Sequence, residues 1–242
     1  MRADVLLVAR GLADSRTMAQ RLIAAGRIRW AGQAVAKPAQ ELPDHAHLDV
    51  AADAADRYVS RGVLKLEGAL ARGGVDPSGC ICLDVGQSAG GFSDCLLQHG
   101  AAQVVGVDVG HDLLRAALRD DPRVVAIEGC NARAIEPATL GEAMPAGGFA
   151  LIVVDVSFIS LTLVLPQLPA LLAGDGTLLA LVKPQFEVGR DGLVRDPAAY
   201  PQVEAKIRAC CAEHHLAVRD FFASPITGGD GNREFFLWTE HE

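Results

Sequence analysis

The sequence predicts an α/β fold: a doubly wound, mostly parallel sheet of seven strands, preceded by a small α+β module. Three observations carry that expectation. From residue 80 onward, short apolar runs rich in Val, Ile and Leu alternate with stretches of helical pattern, as in a parallel sheet covered on both faces. The first run ends in a glycine-rich turn, and the second closes on an acid, Asp108. The charge is divided along the chain. Residues 1–37 carry Arg2, Arg10, Arg16, Arg21, Arg27, Arg29 and Lys37 against Asp4 and Asp14, a balance of +5, so the net −8 of the whole leaves −13 for the remainder. A basic head on an acidic body indicates two modules with different partners.

The front module spans residues 1–50. Apolar positions Val5, Leu6 and Val8 through Leu12 lead to Ser15, a candidate N-cap, and a helix follows from Arg16 through Leu22 and Ile23 to Gly26. Residues 27–30 alternate in the manner of a strand, and 31–33 turn the chain into Ala34 and Val35. Residues 51–59, polar and rich in Ala and Asp, are expected to be a linker, and a helix over 60–72 opens the second domain, 60–242. There the pattern predicts strands over 80–85, 103–108, 124–127, 150–154, 177–182, 217–223 and 233–238, with helices over 91–98, 112–119, 163–172 and 198–214. Only residues 224–232 separate the last two strands, a hairpin-style connection, so the sheet should end on an antiparallel strand.

With 242 residues, half of them hydrophobic, the chain can bury one full core and a small second one. Its cysteines, Cys80, Cys82, Cys95, Cys130, Cys210 and Cys211, form no Cys-x-x-Cys pair and none of the Cys/His spacings of a zinc site. They read as reduced, buried thiols of a cytoplasmic protein, and no metal is expected. Asp4, Arg10, Asp14 and Arg16 interrupt the apolar residues near the N-terminus, which argues against a signal peptide. The run 150–174 is long enough to test as a membrane span, but Asp155, Pro166 and Pro169 break it. A buried strand followed by a helix is expected there, and no membrane partner.

The first strand of the large domain runs into Asp84-Val85-Gly86-Gln87-Ser88-Ala89-Gly90-Gly91-Phe92, and Asp108 lies 24 positions beyond Asp84. Glycines let the chain turn sharply from strand to helix and let a ligand lie against bare backbone, while an acid closing the second strand can accept hydrogen bonds from ribose hydroxyls. Both features suit a dinucleotide and S-adenosylmethionine alike. The dinucleotide fingerprint needs glycine where Ser88 stands. Asp84, two residues before the first glycine, suits a ligand with a positive amino group and sulfonium better than one with a pyrophosphate. Asn131, ending the third strand, is a candidate for an adenine edge. With Gly86, Ser88, Gly90, Gly91 and Phe92, the residues Asp84, Asp108 and Asn131 make the candidate cofactor set.

Three charged residues fall where a buried sheet tolerates them only with partners or work: Asp155 ends the fourth strand, Lys183 ends the fifth, and Glu234 sits inside the last strand pattern. Ligands of open α/β sheets bind at the carboxyl ends of strands, so Asp155 and Lys183 should face the cofactor edge. In chain order, Ser60-Arg61-Gly62, Lys65-Leu66, the turn from Asp84 to Phe92, Asp155-x-Ser157-Phe158-Ile159-Ser160, Val182-Lys183-Pro184-Gln185-Phe186-Glu187 and Gly231-Asn232-x-Glu234-x-Phe236 closely resemble the TlyA, or hemolysin A, family of ribosomal RNA methyltransferases. The catalytic domain of that family resembles the FtsJ (RrmJ) fold. In front, Gly11-Leu12-Ala13-x-Ser15-Arg16, Leu22-Ile23-x-x-Gly26 and Val35-x-Lys37-Pro38 resemble the RNA-binding module of small-subunit ribosomal protein S-four.

The resemblance implies a Rossmann-like, S-adenosyl-L-methionine-dependent ribose 2′-O-methyltransferase acting on cytidine in ribosomal RNA. It implies a Lys-Asp-Lys-Glu tetrad, which falls on Lys65, Asp155, Lys183 and Glu234. Because a ribose 2′-hydroxyl is a weak acid, Lys183 is the candidate either to take its proton or to stabilise the alkoxide. Arg16, Arg21, Arg27, Arg29 and Lys37 are the candidate phosphate contacts. Two other classes stand beside this one. A membrane-active hemolysin would need a spanning segment or a cationic amphipathic helix, and the sequence offers neither. A non-catalytic RNA-binding assembly factor would have no use for an intact tetrad.

Overall fold

The computed structural model describes residues 1–13, 16–51, 62–189, 193–228 and 231–241, apart from the side chains of Thr17, Met18 and Arg21. The chain forms two compact units, Met1–Arg57 and Tyr58–Glu242. The expected linker over 51–59 lies, except for Ala51, outside the described residues.

In the first unit, helices α1 (Ala3–Ala9) and α2 (Arg16–Ala24) share a core with strands β1 (Ile28–Trp30), β2 (Gln33–Ala34) and β3 (Leu48–Val50). The strands form an antiparallel sheet of order β2-β1-β3. Leu6, Leu7, Leu22, Ile23, Ile28 and Val35 fill the space between the layers. Strand β3 was not anticipated, because three residues centred on the polar Asp49 are too short to show an alternation.

The second unit runs α3 (Gly62–Gly73), β4 (Ile81–Val85), α4 (Gly91–Gln98), β5 (Gln103–Asp108), α5 (Ala116–Arg119), β6 (Val124–Glu128), α6 (Pro137–Leu140), β7 (Phe149–Val154), β8 (Leu172–Val182), α7 (Pro184–Glu187), α8 (Ala199–Glu213), β9 (Leu216–Ala223) and β10 (Phe235–His241). Its sheet has the order β6-β5-β4-β7-β8-β10-β9. Strand β10 runs antiparallel to β8 and β9, and the pairs from β6 to β8 are parallel. Period-two alternation builds a core on each face. Leu83, Val85, Ile152 and Val154 pack with Val203 and Ile207 of α8, whereas Cys82, Leu151, Val153 and Leu181 pack with Leu66 of α3 and Phe92 and Leu96 of α4. The chain steps outward from β4 to β6 and then returns to β7, so the strand order reverses beside β4, and the carboxyl ends of β4, β5 and β7 open a crevice there.

Three sequence expectations need correction. Residues 163–172 are not an α-helix: two 3-10 turns, Leu161–Leu163 and Leu165–Gln167, precede β8, which begins at Leu172. Pro166 and Pro169 lack the N–H that an α-helix uses and crowd the preceding turn, so the chain closes shorter bonds such as Gln167 N–H to Val164 O. The helix expected over 112–119 shrinks to Ala116–Arg119, because Asp112 is left-handed (φ 56°) and its N–H bonds to the Glu128 carboxylate. The last strand begins at Phe235, which leaves Glu234 on the residue before it rather than inside it. Among the described residues, no helix is long and apolar enough to cross a membrane.

Candidate active site

A cavity of about 700 Å³ opens at the carboxyl ends of β4, β5 and β7, and Gly86, Ser88, Asp108, Asn131 and Asp155 line it. Two backbone requirements shape its floor. Gly86 has φ 89°, and a Cβ on it would lie 2.5 Å from the Asp155 carbonyl oxygen, so only glycine lets the turn after β4 lie against the end of β7. Asp108 ties two loops together: Oδ2 accepts the Ser88 N–H (2.8 Å) and Oδ1 accepts the Gly110 N–H (2.7 Å). Val109, Leu113, Phe158 and Leu163, all large and exposed, supply apolar walls. Asn131 caps a 3-10 turn by accepting the Arg133 N–H at its Oδ1 (3.1 Å), which leaves its amide NH2 as the donor for a ligand.

Four of the candidate cofactor residues, Asp84, Gly90, Gly91 and Phe92, do not line the cavity. Asp84 shares the face of Cys82 and is fully buried; its Oδ2 accepts the Ser93 hydroxyl (2.7 Å), and Ser93 Oγ in turn accepts from Gln87 Nε2 (2.9 Å). Burial pushes the Asp84 carboxyl up to about 7, against the Ser93 hydrogen bond and with help from the charges of Asp155 and Asp108. The Gln87 amide lies over Gly106, where a Cβ would come within 2.0 Å of it. Asp84, Ser93 and Gln87 therefore brace the turn from below. Phe92 is buried against Phe236.

The structure brings Lys65, Asp155, Lys183 and Glu234 together as two ion pairs. Lys183 Nζ is 2.6 Å from Asp155 Oδ1 and donates to Ser157 Oγ at 2.7 Å. Lys65 Nζ is 2.6 Å from Glu234 Oε2. The sheet explains the meeting. Asp155 follows β7 and Lys183 follows its neighbour β8, while the pairing of Phe235 with Val182 sets Glu234 beside Lys183 across the antiparallel ladder. Lys65 reaches in from the first turn of α3. Burial pushes the Glu234 carboxyl up; the hydrogen bond and charge of Lys65 and the charge of Lys183 oppose this, and Asp155 adds to it, so the four groups feel one another. Removing one member of so buried a pair strands the other charge, at a cost of about 3–5 kcal/mol.

Ser157 and Phe158 lie in a motif visible in the sequence, but neither had a role assigned. A serine beside an acid carries no signal alone, and the conformation of Phe158 is invisible in sequence. Its φ is 64°, uncommon for a bulky residue, its side chain is 88% exposed at the cavity, and its ring lies 5.3 Å from that of Phe186.

In the first unit the basic residues divide. Arg16 (3.2 Å) shares the buried Asp4 with Arg2, which is bidentate at 3.0 Å, and with Gln20 at 3.1 Å. These partners, Arg2 above all, hold the Asp4 carboxyl well below the usual range. Arg27 donates to Ala51 O (2.8 Å) and Arg29 to Gly32 O (3.2 Å), both backbone acceptors, and Lys37 is exposed. The side chain of Arg21 lies outside the described ones.

Comparison with known proteins gives concordant matches. Residues 58–241 match the FtsJ-like methyltransferase family, and residues 1–46 match the S4 domain. The chain is 43% identical over 245 residues to the 16S/23S rRNA (cytidine-2′-O)-methyltransferase TlyA of Mycobacterium tuberculosis, covering 98% of this chain and 88% of that one. A solved structure of a hemolysin-named protein from Streptococcus thermophilus superposes with a TM-score of 0.77 at 39% identity, over 100% of this chain and 88% of that chain. An S-adenosylmethionine-dependent methyltransferase structure from Listeria monocytogenes shares the fold alone, with a TM-score of 0.55 at 14% identity over 75% of this chain and 100% of that one.

Proposed function

The chain belongs to the FtsJ-like methyltransferase family, and from that premise we propose that it moves a methyl group from S-adenosylmethionine to the 2′-oxygen of a cytidine in ribosomal RNA. The observation that carries the reading is the pair of lysine–carboxylate contacts, Lys183 with Asp155 and Lys65 with Glu234, at the edge of the crevice. The residues present suit the cofactor. Glycine backbone at Gly86, the Asp108 carboxylate, the Asn131 amide and the apolar walls at Val109 and Leu113 match a nucleoside with hydroxyls and a planar base. When bound, S-adenosylmethionine supplies an electrophilic methyl group on a positively charged sulfur.

The protein's part is placement and charge. An ammonium has three N–H donors. Ser157 takes one from Lys183 and Asp155 balances its charge from 2.6 Å, which leaves an N–H to face the 2′-oxygen and stabilise the negative charge that grows as the oxygen attacks, the hydroxyl proton passing to solvent. Lys65 neutralises Glu234 and keeps the cluster from carrying two unpaired carboxylates. Phe158 offers an exposed π face beside this point, and unpaired bases stack on such faces. The S4 match and the basic residues Arg16, Arg21, Arg27, Arg29 and Lys37 support RNA as the partner, and a ribosomal substrate puts the work in the cytoplasm.

The test is transfer of labelled methyl from S-adenosylmethionine to each ribosomal subunit, followed by mapping of the 2′-O-methyl positions. The expected product is a 2′-O-methylcytidine that appears only with the protein. Absence of label in both subunits, with cofactor bound, would overturn the reading.

A further inference from the structure

Glu187, the last residue of α7, is used by nothing above, yet its side chain is only 1% exposed and every oxygen is engaged. Oε1 accepts the Leu161 N–H at 2.6 Å, and Oε2 accepts the Ser160 hydroxyl at 2.5 Å. Lys206, from α8, places Nζ 2.9 Å from Oε2 and 3.1 Å from Ser160 Oγ, and so neutralises the buried acid. These contacts join two segments. One, residues 155–161, carries Asp155, Ser157 and Phe158; the other, residues 183–187, carries Lys183 and Phe186. The two are tied at three levels: Lys183 to Asp155 and Ser157, Phe186 to Phe158, and Glu187 to Ser160 and Leu161. Between the first and last ties lies Phe158 at φ 64°, a strained conformation for a bulky residue that persists only where the surroundings over-determine it.

The geometry points to Glu187 as a positioning residue for methyl transfer: through Ser160 and Leu161 it locks the 155–161 loop so that Asp155 and Ser157 meet Lys183 in one fixed register. It touches no reacting atom. This rests on the functional reading above. A charged hydrogen-bond network buried on one side of a loop fixes position better than apolar packing, because each bond has a direction as well as a distance. Misplacement of a catalytic group by about 1 Å can cost about 100-fold in rate.

The test uses the full chain in four variants: Glu187→Ala, Glu187→Gln, Ser160→Ala and the double Ser160→Ala/Glu187→Ala, with Glu204→Gln on the surface of α8 as control. Rates are read at saturating cofactor and RNA, and hydrogen–deuterium exchange is read over residues 156–163. For Glu187→Ala we expect kcat to fall about 30-fold with the KM for RNA within about threefold. Glu187→Gln, which keeps an acceptor for Leu161, should recover about a third of the loss or more. The double variant should lose no more than about threefold beyond Glu187→Ala alone, since both act through one network. Exchange over 156–163 should quicken at least about tenfold while residues 103–108 stay unchanged. A folded Glu187→Ala with parental kcat, multiplicative losses in the double variant, or unchanged exchange would each overturn the proposal. A parent protein that transfers no methyl sinks the functional reading instead, and exchange then still decides whether Glu187 holds the loop.

Discussion

Lys183 sits between a carboxylate at 2.6 Å and a hydroxyl at 2.7 Å, and it does not line the cavity assigned to the cofactor. Removing its side chain should therefore separate chemistry from binding. In Lys183→Ala, methyl transfer should fall by about 1000-fold or more while calorimetry finds the S-adenosylmethionine affinity within about threefold of the parent. Parental turnover would remove Lys183 from the mechanism. Asp84 makes the opposite case. Its charge and its place two residues before Gly86 suggest a cofactor contact, but the parity of β4 turns it toward α4 and buries it. Its folded pKa, about 7, stands above that of the unfolded chain, so the native state holds a proton that the unfolded state has given up. The stability from that protonated carboxyl is complete below about pH 4 and is lost as pH rises through about 7, by roughly 4 kcal/mol at most. Asp84→Asn, always neutral, should gain in Tm relative to the parent between pH 5 and pH 8 by calorimetry. An equal Tm difference at both pH values would show that Asp84 does not titrate in that window.

At the scale of elements, the turn after β4 and the end of β7 work as one piece, because Asp155 N–H bonds to Val85 O while Gly86 lies against the Asp155 carbonyl. Gly86→Ala would place a methyl 2.5 Å from that oxygen at φ 89° and must push the two apart. We expect cofactor affinity to drop about tenfold or more and turnover to fall with it, since the same shift moves Asp155 away from Lys183. Unaltered affinity by titration would mean that the turn yields without strain. Much of this level was legible: strands alternating with helices, the antiparallel pairing of the last two strands implied by their short connection, and strand-end charges that the sheet then gathers, although the antiparallel strand β10 lies between β8 and β9 rather than at the end of the sheet. What was not legible is of another kind. The 3-10 turns at 161–167 arise from two prolines inside a pattern that otherwise reads helical, and the partner choice of Lys65 depends on a helix–strand crossing that no local pattern encodes. The Glu187 network was hidden because each member, read alone, is an ordinary polar residue.

The whole molecule has to bring an acidic chain to a polyanion. Its net −8 repels RNA at long range, so attraction must come from a local concentration of positive charge, and residues 1–37 hold +5. Not all of those cations are equally available. Asp4 takes up Arg2 and Arg16, whereas Lys37 is exposed and Arg29 spends one contact on its own turn. Arg29 and Lys37 should then carry more of the phosphate contact than Arg16 does. Each phosphate contact contributes close to one to the slope of log affinity against log salt. The double substitution Arg29→Ala/Lys37→Ala should weaken ribosomal RNA binding about tenfold or more at low salt and flatten the slope by about two, whereas Arg16→Ala should flatten it by less than one. Turnover at saturating RNA should stay within about threefold, because the tetrad belongs to the other unit. Binding measured across a salt series decides it: a slope unchanged in the double variant would mean that this module holds RNA by other residues, or holds another partner altogether.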